Sequence, residues 1–79
     1  MENNYETEAF VLVFKTNIRC REDVQYVAPV LDSDDRNLKW SIDLSDIDRV
    51  LRIESSNATT EDVILMIKNA GFDCEELLD

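Results

Sequence analysis

From Ala9 to Ile18 the chain reads AFVLVFKTNI, with Phe10, Leu12 and Phe14 alternating against Val11, Val13 and Lys15, a period of two that predicts a β-strand. Its density of β-branched and aromatic residues points to a central place in a sheet. From Arg21 the period lengthens. Val24, Val27, Ala28 and Leu31 line one face of a helix, and Glu22 and Asp23 in its first turn suit the positive end of the helix dipole. Pro29 interrupts this pattern. Proline lacks a backbone donor and crowds the carbonyl four residues earlier, so the helix is expected to kink in its last turn or stop near Ala28. DSDDRN, Asp32 to Asn37, then reads as a solvated turn.

Leu38, Trp40 and Ile42 alternate with Lys39, Ser41 and Asp43, which predicts a second strand with one wet face. A third follows over Arg49 to Glu54, with Leu51 and Ile53 on its inner face, and the short LSDID between them closes an antiparallel hairpin. Thr59 or Thr60 can cap the next helix, and Thr59 with Asp62 resembles a capping box. Val63, Ile67 and Ala70 form its apolar stripe, widened by Ile64 and Met66. Gly71, the only glycine, falls where a left-handed residue would end that helix. FDCEELL can return as a short edge strand.

The order strand, helix, strand, strand, helix, strand is that of a ferredoxin-like βαββαβ sandwich, a four-stranded antiparallel sheet with two helices on one face. MENNYETE, residues 1–8, is polar without an apolar period and is expected to be frayed, leaving one domain over residues 9–79. A chain of 79 residues buries only about 60% of the surface its unfolded form exposes, which leaves no room for a deep catalytic cleft.

Eight basic against eighteen acidic residues give a net charge of −10, which repels phosphate backbones and anionic lipid and attracts basic protein faces. Nucleic acid is therefore not expected as a partner. Apolar runs fall short of the roughly 20 residues that a membrane-spanning helix needs, so no membrane insertion is expected. Two cysteines argue for free thiols in a reducing compartment, the cytoplasm, where the sequon Asn57-Ala58-Thr59 carries no glycan. With no histidine and one glycine, the chain offers neither a histidine base nor a glycine-rich phosphate loop, and no enzyme is expected. Asp43, Asp46, Asp48 and Glu54 fail as a calcium loop, because Asp48 stands where the pattern needs glycine and Ile47 occupies its fifth position.

The strand ending in TNIRC, Ile18 two residues before the cysteine, Pro29 in the first helix and NAGFD before the last strand together resemble the heavy-metal-associated (HMA) domains of copper chaperones and metal-transporting ATPases. The resemblance runs from about Phe10 to Leu77. That family's loop reads M-x-C-x-x-C, and here it is Ile18-Arg19-Cys20-Arg21-Glu22-Asp23, a degenerate motif with aspartate at the second ligand's position. The resemblance implies metal binding or delivery, with copper(I) or zinc as the candidate ions. Copper(I) favours two thiolates, and a carboxylate suits zinc better.

Cys20, Asp23 and Cys74 are the candidate metal ligands, with Ile18, Arg19, Arg21 and Phe72 lining the loop. Each has a plainer reading. Cys20 is either a ligand or reactive thiol before a helix, or an inert residue. Asp23 can cap that helix instead of binding metal. Cys74, at the start of the last strand, could approach Cys20, or serve as a small buried hydrophobe. Phe72 stands near the family's metal, or covers the open end of the core. Two functions follow: a metal-binding or delivery domain serving a metal transporter domain, or a metal-free interaction module that docks a basic protein domain. A monomer or weak dimer is expected.

Overall fold

The computed structural model describes residues 10–34 and 38–77. The expectation of a frayed segment over residues 1–8 lies outside them. The elements run β1 (Phe10–Thr16), α1 (Arg21–Asp32), β2 (Lys39–Asp43), β3 (Val50–Ser55), α2 (Thr60–Asn69) and β4 (Cys74–Glu76). The four strands form one antiparallel sheet in the order β2-β3-β1-β4. β1 is therefore central and β4 an edge, as the pattern predicts.

Register decides which side chains meet. Leu12 opposes Ile53, Phe14 opposes Leu51, Trp40 opposes Ile53 and Thr16 opposes Cys74, so all of these share one face. Val27 and Leu31 from α1 and Val63 and Ile67 from α2 pack onto that face, and together with Phe14, Ile18, Leu51 and Ile53 they are fully buried. Removing one such side chain from water is worth about 1.5–3 kcal/mol. The result is the ferredoxin-like βαββαβ fold, both helices covering one side of the sheet.

Several boundaries differ from the sequence reading. β1 ends at Thr16 rather than Ile18, because the Thr16 hydroxyl turns the chain. β2 begins at Lys39, and β3 covers Val50–Ser55. Of the two courses left open for α1, stopping near Ala28 is the one it does not take, and Asp32, expected in the turn, belongs to the helix. It runs through Asp32 with Pro29 inside it. Buried Leu31 anchors the last turn to the core, and the Ser33 amide closes onto the Pro29 carbonyl at 3.0 Å. The packing of Leu31 outweighs the lost donor.

Capping fixes α2 more conventionally. The Thr59 hydroxyl accepts from the Asp62 amide at 3.1 Å, and Asp62 Oδ2 accepts from the Thr59 amide at 3.2 Å. Gly71 ends the helix with φ +98°. Its amide donates to the Lys68 carbonyl and that of Phe72 to the Ile67 carbonyl, the paired closure of a Schellman motif.

Candidate functional site

The strand end at Thr16 gathers three loops. The Thr16 amide donates to the Asp48 carbonyl at 3.0 Å and its hydroxyl donates to the Arg49 carbonyl at 2.6 Å, which ties the β2–β3 hairpin to β1. The same hydroxyl accepts from the Ile18 amide at 3.2 Å. One residue on, Asn17 Oδ1 accepts from the Asp73 amide at 2.8 Å and Asn17 Nδ2 donates to Asp73 Oδ2 at 3.4 Å, which ties the entry of β4 to the same point. Ile18 is fully buried between these anchors.

Cys20 follows as the N-cap of α1, with an extended backbone and no capping bond from its side chain. Its carbonyl accepts from the Val24 amide at 3.1 Å, and its thiol is exposed. Asp23, in the first turn of α1, reaches back past that N-cap. Its Oδ2 accepts from the Arg19 amide at 2.9 Å and lies 3.9 Å from Arg19 Nε, and its side chain is 16% exposed. The guanidinium end of Arg19 is open to solvent, so that ion pair contributes little and the amide bond matters more. The Arg21 side chain is also exposed.

Cys74 opens β4. It pairs with Thr16 in the sheet, is buried in the core cluster and is a free thiol, as is Cys20. Burial pushes its thiol up to about 11, opposed by the positive charge of Lys68. It therefore stays protonated and apolar near neutral pH. Phe72 is half-buried against the core, next to the Asn17–Asp73 clamp. The four residues around the opening thus have distinct surroundings: one exposed thiol, one carboxylate turned back on the backbone, one buried thiol and one aromatic cover.

At the hairpin, Asp43 Oδ1 accepts from the Ser45 hydroxyl at 2.7 Å and the Ser45 amide at 3.0 Å, and these bonds hold its carboxyl below the usual range. Asp46 Oδ1 accepts from the Asp48 amide at 2.8 Å. Arg49 adopts a left-handed φ of 48°, and its guanidinium donates to the Leu44 carbonyl. This braced turn leaves Ile47 92% exposed between two aspartates. Two carboxylates of the failed calcium pattern, Asp43 and Asp46, thus help to close a turn.

Thr16, Asn17 and Arg49 escaped the sequence reading. Thr16 did leave a signal, since it is a polar residue at the core-facing parity of Phe14. The Asn17–Asp73 pair spans 56 residues and leaves none.

The residues do not fit the family's copper(I) centre. A two-thiolate site needs a second sulfur beside Cys20, and the residue at that position is a carboxylate already bonded to an amide. Nor do three or more histidine, cysteine, aspartate or glutamate side chains converge anywhere among the described residues. No helix among them is long and apolar enough to cross a membrane.

The structure is similar to the apo form of the HMA domain of a copper chaperone for superoxide dismutase, with a TM-score of 0.73 over 99% of this chain and 76% of that chain, at 13% sequence identity. That likeness shows the fold. No protein-family model matches the sequence, and no curated protein matches it.

Proposed function

We propose that this chain is a non-enzymatic docking domain that keeps the heavy-metal-associated fold without its two-thiolate chemistry, and that it recognises a basic protein face. The observation that carries the reading is the Asp23 carboxylate, which accepts the Arg19 amide where a second thiolate would have to stand. The net charge of −10 supports a basic partner. So do two loops joined to the end of β1, in one of which exposed Ile47 lies between Asp46 and Asp48 while in the other half-buried Phe72 precedes Asp73, each an apolar residue flanked by carboxylate. Two free cysteines suit a reducing compartment such as the cytoplasm.

Titration of the reduced protein with copper(I) and with zinc, each against a competing chelator, tests the first half. The wild type takes up neither ion stoichiometrically, and Asp23→Cys gains a copper(I) equivalent that Cys20→Ser removes from it. A wild-type equivalent lost on Cys20→Ser would overturn the reading and restore metal delivery. An arginine-rich synthetic peptide tests the second half by NMR. Amide shifts concentrated at the Asp46–Asp48 turn and around Phe72 and Asp73 support docking there, while shifts spread over every acidic residue count against it.

A further inference from the structure

The sheet face turned away from the helices has a different electrical character from the rest of the chain. Register places Lys39 against Glu54 and Glu54 against Val11, Ser41 against Arg52 and Arg52 against Val13, Asp43 against Val50, and Lys15 against Glu75. This face therefore carries three basic residues, Lys15, Lys39 and Arg52, against three acidic ones, Asp43, Glu54 and Glu75. In a chain of net charge −10 it is electrically balanced, so two copies can approach here with little of the repulsion that the net charge creates.

Arg52 is the residue that the balance leaves over. Lys39 and Lys15 each stand beside a glutamate across the strands, as on any solvated sheet. Arg52 stands between Val13 and Ser41, and its guanidinium makes no ion pair or hydrogen bond among the described residues. Beside it lies a hollow of about 340 Å³ lined by Val13, Ser41, Asp43, Asp46 and Val50 as well as Arg52 itself. The Asp43 and Asp46 carboxylates, each bonded within the turn, give the hollow its acidic side. The face thus presents a projecting cation next to an acidic, valine-floored recess, a pair that a two-fold axis would match to itself.

We infer that this face is a self-association surface, on which a second copy of the chain packs sheet to sheet and each Arg52 enters the hollow beside Asp43 and Asp46 of the other copy. Four strands about 4.8 Å apart, crossed by seven residues of β1 at about 3.3 Å each, offer on the order of 400 Å² per copy, about half of a standard interface, so the dimer is weak and reversible. This surface meets the loop end that docks a partner at Asp46, and dilution of the protein alone, with no basic peptide present, tests it apart from that docking.

Sedimentation and amide shifts of the reduced protein, followed on dilution from about 1 mM to about 10 µM, test the inference over the range suited to so small an interface. The expected result is a concentration-dependent dimer whose shifts map to residues 11, 13, 41, 50 and 52. Arg52→Glu raises the dissociation constant at least about tenfold, roughly the cost of setting two like charges in place of a close pair. Lys68→Glu makes the same charge change on exposed α2 and leaves dissociation within about twofold, since rim and remote charges matter little. A protein that stays monomeric throughout, shifts that map to the Cys20 loop, or equal effects from the two reversals would each overturn it. The dilution shifts need no variant.

Discussion

The amide of Arg19 donates to Asp23 Oδ2 across 2.9 Å, so the side chain four residues into the loop is bound to the loop's own backbone. Cys20 at the N-cap makes no side-chain bond, and Asp23 ties the first turn of α1 back to the residue before that cap. Asp23→Ala is expected to lower stability by about 1 kcal/mol, the usual net worth of one intramolecular hydrogen bond, and Asp23→Asn by less because its amide oxygen can still accept. Urea denaturation of the reduced protein checks both. Equal stability of the alanine variant would mean that the bond to the Arg19 amide contributes nothing.

Thr16 joins more of the site than any other side chain. Its hydroxyl gives its proton to the Arg49 carbonyl and receives the Ile18 amide, while the residue is 7% exposed. Thr16→Val keeps the shape and strands both backbone groups, at a cost of about 1–3 kcal/mol. Thr16→Ser keeps both bonds and loses only a methyl group, so it should fall well short of that. Amide exchange at Ile18, whose donor loses its acceptor, should speed up in the valine variant alone.

Much of this architecture was legible from spacing alone, because each element obeys its own period and cap. Phe10, Leu12 and Phe14 lie on the helix-facing side of a central strand, although Phe10 at its end remains 63% exposed. Thr59 with Asp62 forms the reciprocal cap that their separation suggests. α1 is less readable, since Pro29 is a strong local breaker and the burial of Leu31 that overrides it is a tertiary fact. The candidate site divides in the same way. That Asp23 could cap follows from its position. That Cys74 faces the core follows from which residue of β1 it pairs with, and register between strands 58 residues apart cannot be read from either one alone.

The two thiols should behave oppositely toward alkylation. Cys20 is exposed and labels in the native protein, while Cys74, buried and pushed up to about 11, waits for unfolding. Counting adducts by intact mass at neutral pH, with and without denaturant, should show one and then two. The same burial fixes a pH dependence. Above the ordinary thiol value of 9.0 the unfolded chain loses the Cys74 proton while the folded chain keeps it up to about 11. The unfolded state thus binds fewer protons there, and stability falls as pH rises through that window. Cys74→Ala removes this contribution, so the wild type should lose more stability than the variant between those limits and match its trend below them.

Gly71 offers a test in which packing plays no part. Its φ of +98° lies where a side chain is disfavoured, yet a Cβ built there meets no heavy atom within 4 Å. Any cost of Gly71→Ala is therefore conformational, and about 1 kcal/mol is expected. Asparagine tolerates left-handed backbone better than alanine, so Gly71→Asn should cost less, an ordering that a steric clash would reverse because asparagine is larger. The effect should also reach the site, since Gly71 and Phe72 close α2 one residue before the Asp73 amide meets Asn17. Faster amide exchange at Asp73 in the alanine variant, together with a thermal midpoint lower than that of the asparagine variant, is the expected pair of results. A variant as stable as the wild type would show that the left-handed closure is not what ends the helix.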